Sequence, residues 1–423
     1  MGISGFMALA VTRRIVGVAA VIIMATPGVA EPRATPDARK PDTGPRPTLR
    51  IEAAPLGFLP PAAYFLTYRL SSASLGFFDD NHLLFTFRVG GLLTRLPSDR
   101  EGDEDQEIRA VVLDAKTGTV LRQTEWRMHD RLRYLWPLEG GQFLVRIRDS
   151  LYLTDETLAL RHYVSFDAPV RSVDVTPDQR TIVVETDEPA GNGAVADGAG
   201  NPVMVRIFTA GSEEPSAVTR AHHAGLVPVM GDGLLATLEG KQTASWVIRE
   251  VPFHGNGRTL AQVRSYCQPQ LQPVSATVAL VVGCYTEADD RPIVALSTSG
   301  KELWHERWEN RYVWPWFGYA TNGTRFLFES MEVNRPIDSL DALYPEDVEA
   351  QLVGVYDTET GKLVMVQNAS PVLSADQNAA LSPDGRRLAV LRDGAIEIYD
   401  LPPAGGAASG ERDVSKAQRA KGH

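Results

Sequence analysis

The sequence predicts an all-β fold, namely a seven-bladed β-propeller whose blades each contain four strands. The first observation behind this prediction is a recurring hairpin, in which two apolar strands flank a turn of Pro, Asp, Asn or Gly. The clearest copy is Leu381–Val390, which is centred on Ser-Pro-Asp-Gly. Weaker copies are found at Val175–Val184, Leu271–Leu280, Tyr319–Phe328 and Phe78–Phe85. A hairpin that recurs along a whole chain is typical of a closed repeat fold.

The spacing of the turn signals determines the expected number of blades. Turns of this kind recur about every 40 to 60 residues, near Asp80, Gly140, Asp178, Asp232, Ala276, Asn322 and Asp384. A second turn signal follows in the first six repeats, at Asp114–Gly118, Asp155–Thr157, Gly211, Gly255–Gly257, Ser299–Gly300 and Asp357–Gly361. Two hairpins make four strands, so we expect seven blades, with eight as the alternative count.

The last repeat is one strand short, which indicates how the ring closes. After the strand-like run Ala395–Asp400 the chain enters Pro402 and Pro403, which cannot continue a strand in the middle of a sheet. Ahead of the first repeat, Tyr64–Leu70 is strand-like and has no assigned partner. We therefore predict that Tyr64–Leu70 completes the last blade as its outer strand. The alternative is that it caps an open array.

The N-terminus has the pattern of a secretory signal peptide over residues 1–30. Arg13 and Arg14 precede the apolar run Ile15–Met24, and Gly28–Ala30 offers small residues before a cleavage point. The alternative is an uncleaved membrane anchor, although the run is shorter than the roughly 20 residues that a spanning helix needs. We expect a periplasmic or secreted protein with no membrane span after cleavage.

The remaining domain boundaries follow from composition. Residues 31–60 are rich in Pro, Arg and Asp, as is typical of an extended linker. Residues 402–423 combine Pro, Gly and Ala with mixed charge, and we interpret them as a disordered tail. The propeller is expected to occupy residues 61–401.

Cys267 and Cys284 are the two cysteines of the chain, and both lie in one hairpin copy. If Pro273 pairs with Val278 across the turn, the same antiparallel register places the two thiols opposite each other. Paired Cα atoms then lie about 4.5 to 5.5 Å apart, within reach of a disulfide. An oxidising compartment favours that bond. The alternative is two buried free thiols.

Charge and motifs exclude several classes of function. The net charge is -11, and Lys and Arg are scattered along the chain, without the basic cluster that nucleic acid or an anionic membrane surface requires. Neither a Gly-x-Ser-x-Gly elbow, a His-Glu-x-x-His helix nor a phosphate-binding loop is present. We therefore predict no cofactor, no metal site and no catalytic residue from motifs, and we expect a monomer.

The Ser382–Gly385 turn, with its weaker copies, resembles the repeats of TolB-type and WD40-like bacterial propellers. Asp357–Gly361, which follows a Val-Tyr strand, is also similar to a turn of those families. The chain departs from eukaryotic WD40 repeats because it contains no Trp-Asp dipeptide. The resemblance implies an exported propeller with a binding or scaffolding role, and it does not carry the function of TolB itself.

An internal repeat supplies the candidate ligand-binding residues. Arg133-Tyr134-Leu135-Trp136-Pro137 is echoed by Arg311-Tyr312-Val313-Trp314-Pro315, and both segments open a predicted inner strand on opposite sides of the channel. Such Arg and aromatic side chains bind carboxylates, phosphates or aromatic rings. The alternative is that the aromatic residues pack between blades while the Arg side chains pair with carboxylates. The predicted site comprises Arg133, Tyr134, Trp136, Arg171, His222, Arg311, Tyr312 and Trp314.

Three further features bear on function. Three connections between second and third strands, at 89–107, 186–201 and 331–350, look long enough to form a binding face, or are surface loops that drifted in length. The segment Trp304–Tyr319 is dense in aromatic residues, as a binding platform or as packing between blades. The acidic run Asp99–Glu107 lacks the spacing of a calcium loop.

The function predicted from the sequence is binding or scaffolding. The partner is an unidentified protein, or a small anionic or aromatic ligand, held at the loop-rich face. The alternative is a hydrolase or lactonase-like enzyme with a metal in the central channel.

Overall fold

A computed structural model describes residues 45–60, 73–90, 105–128, 133–188, 202–221, 228–240, 244–284, 290–309, 312–335, 344–370 and 377–404, together with Leu93, Gln242 and Val372. The described chain forms seven antiparallel sheets of four strands each. The seven-bladed, four-stranded architecture is therefore confirmed. Two short 3-10 turns, Ala54–Leu56 and Pro345–Asp347, are its helical elements among these residues.

Blades 1 to 4 follow one another along the chain, and in each the first strand is the innermost. Their strands are β2 (Ala73–Phe77), β3 (His82–Val89), β4 (Gln106–Asp114) and β5 (Val120–Met128) in blade 1; β6 (Leu135–Leu138), β7 (Gln142–Ile147), β8 (Ser150–Thr154) and β9 (Arg161–Ser165) in blade 2; β10 (Val170–Val175), β11 (Thr181–Asp187), β12 (Val203–Thr209) and β13 (Pro215–Ala221) in blade 3; and β14 (Val229–Met230), β15 (Gly233–Glu239), β16 (Ser245–Pro252) and β17 (Arg258–Arg264) in blade 4.

Blades 5 and 6 continue this order, and blade 7 combines the two ends of the chain. Their strands are β18 (Gln270–Pro273), β19 (Val278–Val282), β20 (Asp290–Ser297) and β21 (Glu302–Glu309) in blade 5; β22 (Tyr312–Tyr319), β23 (Arg325–Val333), β24 (Val348–Asp357) and β25 (Leu363–Ala369) in blade 6; and β26 (Ala379–Leu381), β27 (Arg387–Arg392), β28 (Ala395–Asp400) and β1 (Leu49–Glu52) in blade 7.

The turn residues that predicted the blades also stabilise them. Ser382 donates a hydrogen bond from Oγ to Asp384 Oδ1 at 2.7 Å and accepts one from the Arg387 backbone at 2.9 Å. Gly385 adopts a φ of +68°, which a side chain would disfavour. In blade 3, Thr176 donates to Asp178 Oδ1 at 2.6 Å in the same way. The Ser/Thr-Pro-Asp motif thus forms a turn whose own side chains make its hydrogen bonds, and it connects two apolar strands.

The strand that closes the ring differs from the prediction. β1 pairs antiparallel with β28, with Leu49 opposite Ile398 and Ile51 opposite Ile396. Arg50 adds an ion pair with Glu397. An N-terminal strand does complete the last blade as its outer strand. That strand is Leu49–Glu52, within the segment interpreted as linker, and not Tyr64–Leu70, which lies outside the described residues.

The hydrophobic core lies between blades and not within them. One cluster joins Ile51 and Ile396 of blade 7 to Phe85 of blade 1, and another joins Phe143 of blade 2 to Leu84 of blade 1. Each sheet buries its two faces against its neighbours, which is the packing that a ring of blades requires. The inner strand β2 contacts both β6 and β26, so the first strands line the axis.

Cys267 and Cys284 form a disulfide with a Cα–Cα distance of 5.9 Å, as predicted. The register that led to this prediction is one residue off, because Pro273 pairs with Ala279 and not with Val278. Both cysteines lie beyond the ends of β18 and β19, where the chain is free of the ladder and brings them together despite the shift. The bond joins the connector from blade 4 to the far end of β19.

The predicted signal peptide and nearly all of the predicted tail lie outside the described residues. Where the chain is described, its helical turns are far too short to span a bilayer. The disulfide is compatible with the predicted periplasmic or extracellular location.

Candidate functional site

The candidate site is a cavity of about 220 Å³ in the central channel. Among the residues that the structure describes, its wall comes from the inner strands of blades 1, 2, 3, 5, 6 and 7 and from the loop that precedes β26. Because adjacent strands are antiparallel, the inner hairpin turns lie at one end of the channel and the long connections at the other. Thr176, Gln179 and Pro383 belong to inner hairpin turns and border the cavity. The cavity also reaches Arg133 and Gln377, which precede β6 and β26, so it extends from the turn end along the channel.

Arg133 lies just before β6 and extends its side chain into the channel. The centre of its guanidinium is 5.3 Å from the ring centroid of Trp136 and 5.2 Å from that of Trp316. Trp316 belongs to blade 6, so this contact crosses the channel from blade 2. Each desolvated cation–π contact contributes up to about 2 kcal/mol. The two indoles hold one positive charge in a fixed place beside the cavity.

Asp174, on the inner strand of blade 3, contributes a half-buried carboxylate to the cavity wall. Burial raises the pKa of this carboxyl above its usual range, since the opposing effects of the Arg133 charge and the Val175 backbone N–H are smaller. The negative charge of Glu185 adds to the increase. Asp174 forms no ion pair with any residue that the structure describes. Burial therefore makes ionisation of this group less favourable than in water.

Gln272 and Tyr319 add hydrogen-bonding groups from blades 5 and 6. The Gln272 side-chain amide donates to the Tyr319 hydroxyl at 2.5 Å. Burial raises the pKa of Tyr319, and the nearby charge of Asp174 raises it further. Tyr319 is therefore a neutral phenol at all physiological pH values. Polar groups from blades 2, 3, 5 and 6 converge on one small volume, which is the pattern of a ligand site in an otherwise apolar pocket.

Gln377 organises the wall of the channel where blades 7, 1 and 2 meet. It is buried, accepts a hydrogen bond from Ser74 at 3.0 Å and donates one to the Leu135 carbonyl at 3.0 Å. Its φ of +98° is unusual for a residue with a side chain. This strain is compensated because one amide links blades 1, 2 and 7. The geometry of the cavity is therefore pre-set by the scaffold.

The predicted residues of blades 2 and 3 have different environments. Arg133 and Trp136 border the cavity. Tyr134 is fully buried between blades 1 and 2, and its hydroxyl lies 2.7 Å from Thr86 Oγ1. Tyr134 and Trp136 pack into different clusters because Tyr134 precedes the strand and escapes its alternation. Arg171 is exposed and paired with Asp187 at 2.5 and 2.6 Å, as the packing alternative expected for the Arg residues.

The side chains of the other predicted residues lie outside the part of the chain that the structure describes. His222, with His223, and Arg311 lie outside the described residues. Tyr312 and Trp314 belong to β22, but their side chains lie outside the described part of the chain. Their role in binding remains a prediction.

The aromatic-rich segment is divided between packing of the blades and the wall of the cavity. Trp304 and Trp308 lie in β21. Trp304 stacks on Phe326 of blade 6 and Trp308 packs at a tilt against Phe328, with centroid distances of 6.3 and 4.0 Å. These two rings pack between blades. Trp316 in β22, by contrast, faces the cavity.

Sequence reasoning missed Asp174, Gln272 and Gln377 as site residues. Asp174 carries one usable signal, since it is an acidic residue between two valines of a predicted inner strand. Gln272 and Gln377 carry none, because only the ring closure brings them to the axis.

A second polar cluster lies outside the cavity, where blades 1 and 2 meet. The Nδ1 atom of His82 is 3.0 Å from Asp79 Oδ2 and 2.8 Å from Glu156 Oε1. Burial lowers the His82 pKa, but the two carboxylates outweigh it and the net pKa is raised. The ligand-type atoms of the three residues lie within 4.8 Å of one another. Through these contacts, the cluster links blades 1 and 2.

Fold and site together define the class of protein: a seven-bladed β-propeller with a polar cavity in its channel. Among solved structures, the acylaminoacyl peptidase of Pyrococcus horikoshii matches 81% of the chain at 12% identity, with a TM-score of 0.45. The chain spans about half the length of that peptidase, 54%. The propeller domain of the Trilobed protease from Pyrococcus furiosus is similar over 79% of the chain and 99% of its own length, at 12% identity and a TM-score of 0.43.

A third similar structure is the uncharacterised protein lmo1340 of Listeria monocytogenes, which matches 80% of the chain and 97% of its own length at 10% identity, with a TM-score of 0.43. No protein-family model and no curated protein sequence matches the chain. At these identities the likeness concerns the fold alone, and the assignment of the fold rests on the strand order of the chain itself. The resemblance to TolB-type and WD40-like repeats remains a prediction.

Proposed function

We propose that this protein is an exported binding module that holds a small ligand with an anionic or aromatic group in its central channel. The observation that carries the proposal is the position of Arg133, fixed between Trp136 and Trp316 on the wall of a cavity of about 220 Å³. A guanidinium fixed in this way is ready to meet a carboxylate or phosphate, because it loses little side-chain freedom on binding.

The cavity suits a ligand of modest size. It is smaller than the 300 to 1,000 Å³ typical of sites for drug-sized molecules. Its polar groups are few and converge from several blades, whereas most of the remaining wall is apolar, including Leu75, Phe77 and Phe317. Such a site supports recognition of one small molecule with a flat apolar body. The long connections at the other end of the channel leave a separate face for a protein partner.

The proposal is tested by a thermal-shift screen of small carboxylates, phosphates and aromatic compounds, followed by calorimetry on the compounds that raise Tm. We expect Arg133→Met, which keeps the bulk of the side chain without its charge, to weaken binding of the anionic hits roughly 10- to 100-fold. If Arg133→Met bound every hit as tightly as the wild-type protein, the channel site would be wrong.

A matched control is Arg180→Ala. Arg180 is an exposed arginine of the inner hairpin turn of blade 3, and its guanidinium pairs with Glu139 of blade 2 at 2.7 Å without lining the cavity. We expect this variant to bind every hit with unchanged affinity. Equal losses in the Arg133 and Arg180 variants would indicate general electrostatic attraction and would contradict a defined site.

The second candidate function is a hydrolase with a metal in the channel, which requires converging carboxylates. Among the described residues that line the cavity, Asp174 is the one carboxylate. Metal analysis of the purified protein tests this alternative. A stoichiometric divalent metal that is lost in Asp174→Asn would favour the hydrolase over the binding module.

A further inference from the structure

We propose that the channel ligand is a zwitterion: a small molecule whose carboxylate meets Arg133, whose ammonium group meets Asp174, and whose aromatic body lies against the apolar wall. This inference rests on the proposed binding function and specifies its ligand class, an aromatic α-amino acid or a compound of the same charge pattern.

The first argument is the presence of opposite charges on one cavity wall. Arg133 comes from blade 2 and Asp174 from blade 3, and each senses the charge of the other without forming an ion pair between them. A half-buried acid and base on one wall present both charges to a ligand that carries the two complementary groups. A simple anion would be attracted by the charge of Arg133 and repelled by that of Asp174.

The second argument is the free-energy cost of burying the Asp174 carboxylate in the cavity wall. The groups that act on its carboxyl are Arg133, Glu185 and the Val175 backbone, and burial dominates them. Tyr319 across the channel is affected by both Asp174 and Arg133. An ammonium group would supply the positive partner that this carboxylate lacks in the described structure. A half-buried carboxylate without such a partner is retained at a cost in stability, which is typical of functional sites.

The third argument concerns size and shape. A cavity of about 220 Å³ has room for several water molecules, since each occupies roughly 30 Å³ in the liquid. This space suits a single amino acid and not a long peptide. Trp316, Phe317 and Phe77 offer flat apolar surface on the wall. Aromatic rings gain the most from such surfaces through stacking and area burial.

Three matched compounds test the inference by titration calorimetry. L-phenylalanine carries both charges, 3-phenylpropanoate lacks the ammonium group, and 2-phenylethylamine lacks the carboxylate. We expect L-phenylalanine to bind roughly 10- to 100-fold more tightly than either of the other two, because each loses one charge-assisted hydrogen bond. Binding of 3-phenylpropanoate as tightly as L-phenylalanine would overturn the inference and leave the proposed function intact.

If none of the three compounds binds, the zwitterion inference is overturned, whereas the proposed function is judged by the wider screen and the Arg133→Met variant. A preference for 2-phenylethylamine alone would overturn the zwitterion inference, because the carboxylate contact with Arg133 would then have no part in binding.

Substitution of Asp174 supplies the second readout. In Asp174→Asn we expect the preference for L-phenylalanine over 3-phenylpropanoate to fall to within about twofold of equality, while 3-phenylpropanoate keeps or gains affinity. Glu214→Gln, an exposed change in the same blade, is the control and is expected to retain the full preference. A folded Asp174→Asn protein that also retains the full preference would overturn the role of Asp174.

Discussion

At the scale of single residues, burial of the Asp174 carboxyl in the channel lowers the stability of the fold at neutral pH. Asp174 is held in a place where burial raises its pKa. A carboxyl with a raised pKa binds its proton more tightly in the folded state than in the unfolded state. Stability therefore falls as pH rises through the folded pKa, and at neutral pH the ionised group opposes folding.

We accordingly expect Asp174→Asn to increase the free energy of unfolding at pH 7 by about 1 kcal/mol, a magnitude common for single substitutions. The gain should shrink as pH falls below the folded pKa, because the wild-type carboxyl is then neutral as well. Thermal or urea unfolding between pH 4 and 8 measures this. A loss of stability at pH 7 would show that the carboxylate stabilises the empty channel.

His82 has the opposite pH dependence. Its raised pKa means that the folded protein holds the imidazolium proton more tightly, between Asp79 and Glu156. This contribution is fully present below the unfolded pKa of about 6.5 and is lost as pH rises through the folded pKa.

We expect His82→Gln to lower the free energy of unfolding at pH 5.5 by less than about 1 kcal/mol, because the groups are partly exposed. Tm should therefore fall slightly at pH 5.5 and stay unchanged at pH 8.5. Differential scanning calorimetry at the two pH values measures the difference. An equal effect at both would indicate packing and not charge. Addition of Zn²⁺ to the wild-type protein tests the same cluster for metal binding.

At the scale of elements, the first strand carries much of the ring closure. Ile51 is buried in the cluster that joins blades 7 and 1. We expect Ile51→Ala to destabilise the protein by about 2 kcal/mol, at the low end for buried aliphatic truncation because β1 is an outer strand. Val120→Ala, at an exposed position of the outer strand β5, is the control and should change stability by less than about 0.5 kcal/mol. Chemical denaturation compares the two variants.

The disulfide is a second device at this scale. It encloses a sequence separation of 17 residues, for which loop entropy gives a stabilisation of about 3 kcal/mol. We expect the double variant Cys267→Ser, Cys284→Ser to lose about this amount, and a thiol reductant to have the same effect on the wild-type protein. A wild-type Tm that is insensitive to reductant, with the thiols shown to be free, would contradict this.

The sequence predicted the blades well because their signals are local. A turn such as Thr176–Asp178 satisfies its own hydrogen bonds, so its residues identify a hairpin wherever they occur. β1 has no such signal: it is four residues long, has one buried side chain and finds its partner at the far end of the chain. Tyr64–Leu70 attracted the assignment because it is longer and more apolar.

The candidate site shows the same division. Arg133 was found because an internal repeat marks it, and Trp316 lies in a segment that aromatic density marks. Asp174, Gln272 and Gln377 carry little or no local signal, and their convergence depends on the curvature of the whole ring. Residues that meet only through closure are beyond the reach of patterns read along one chain.

At the scale of the whole molecule, the position of β1 allows the chain to be reconnected. The hydroxyl of Thr48 lies 3.0 Å from Asp400 Oδ2, so the start of β1 and the end of β28 are neighbours. We expect a circular permutant that begins at Ala73 and carries residues 47–60 after residue 401, through a short Gly-Ser linker, to fold with a Tm within a few degrees of the original chain. Circular dichroism and thermal unfolding measure this.

The matched control is the same permutant without residues 47–60. It leaves β28 with an unpaired edge, and exposed edges favour aggregation. We expect lower solubility and a lower Tm than for the complete permutant. Equal stability of the two permuted proteins would mean that β1 contributes nothing to closure.

The pairing of β1 with β28 also has a consequence for biogenesis. The ribosome makes β1 about 350 residues before its partner β28. A nascent or truncated chain can form individual hairpins, but it cannot shut the ring. The ring can therefore close only after the whole propeller has been synthesised. A truncated chain exposes an unpaired strand edge, which quality-control proteases and chaperones can recognise.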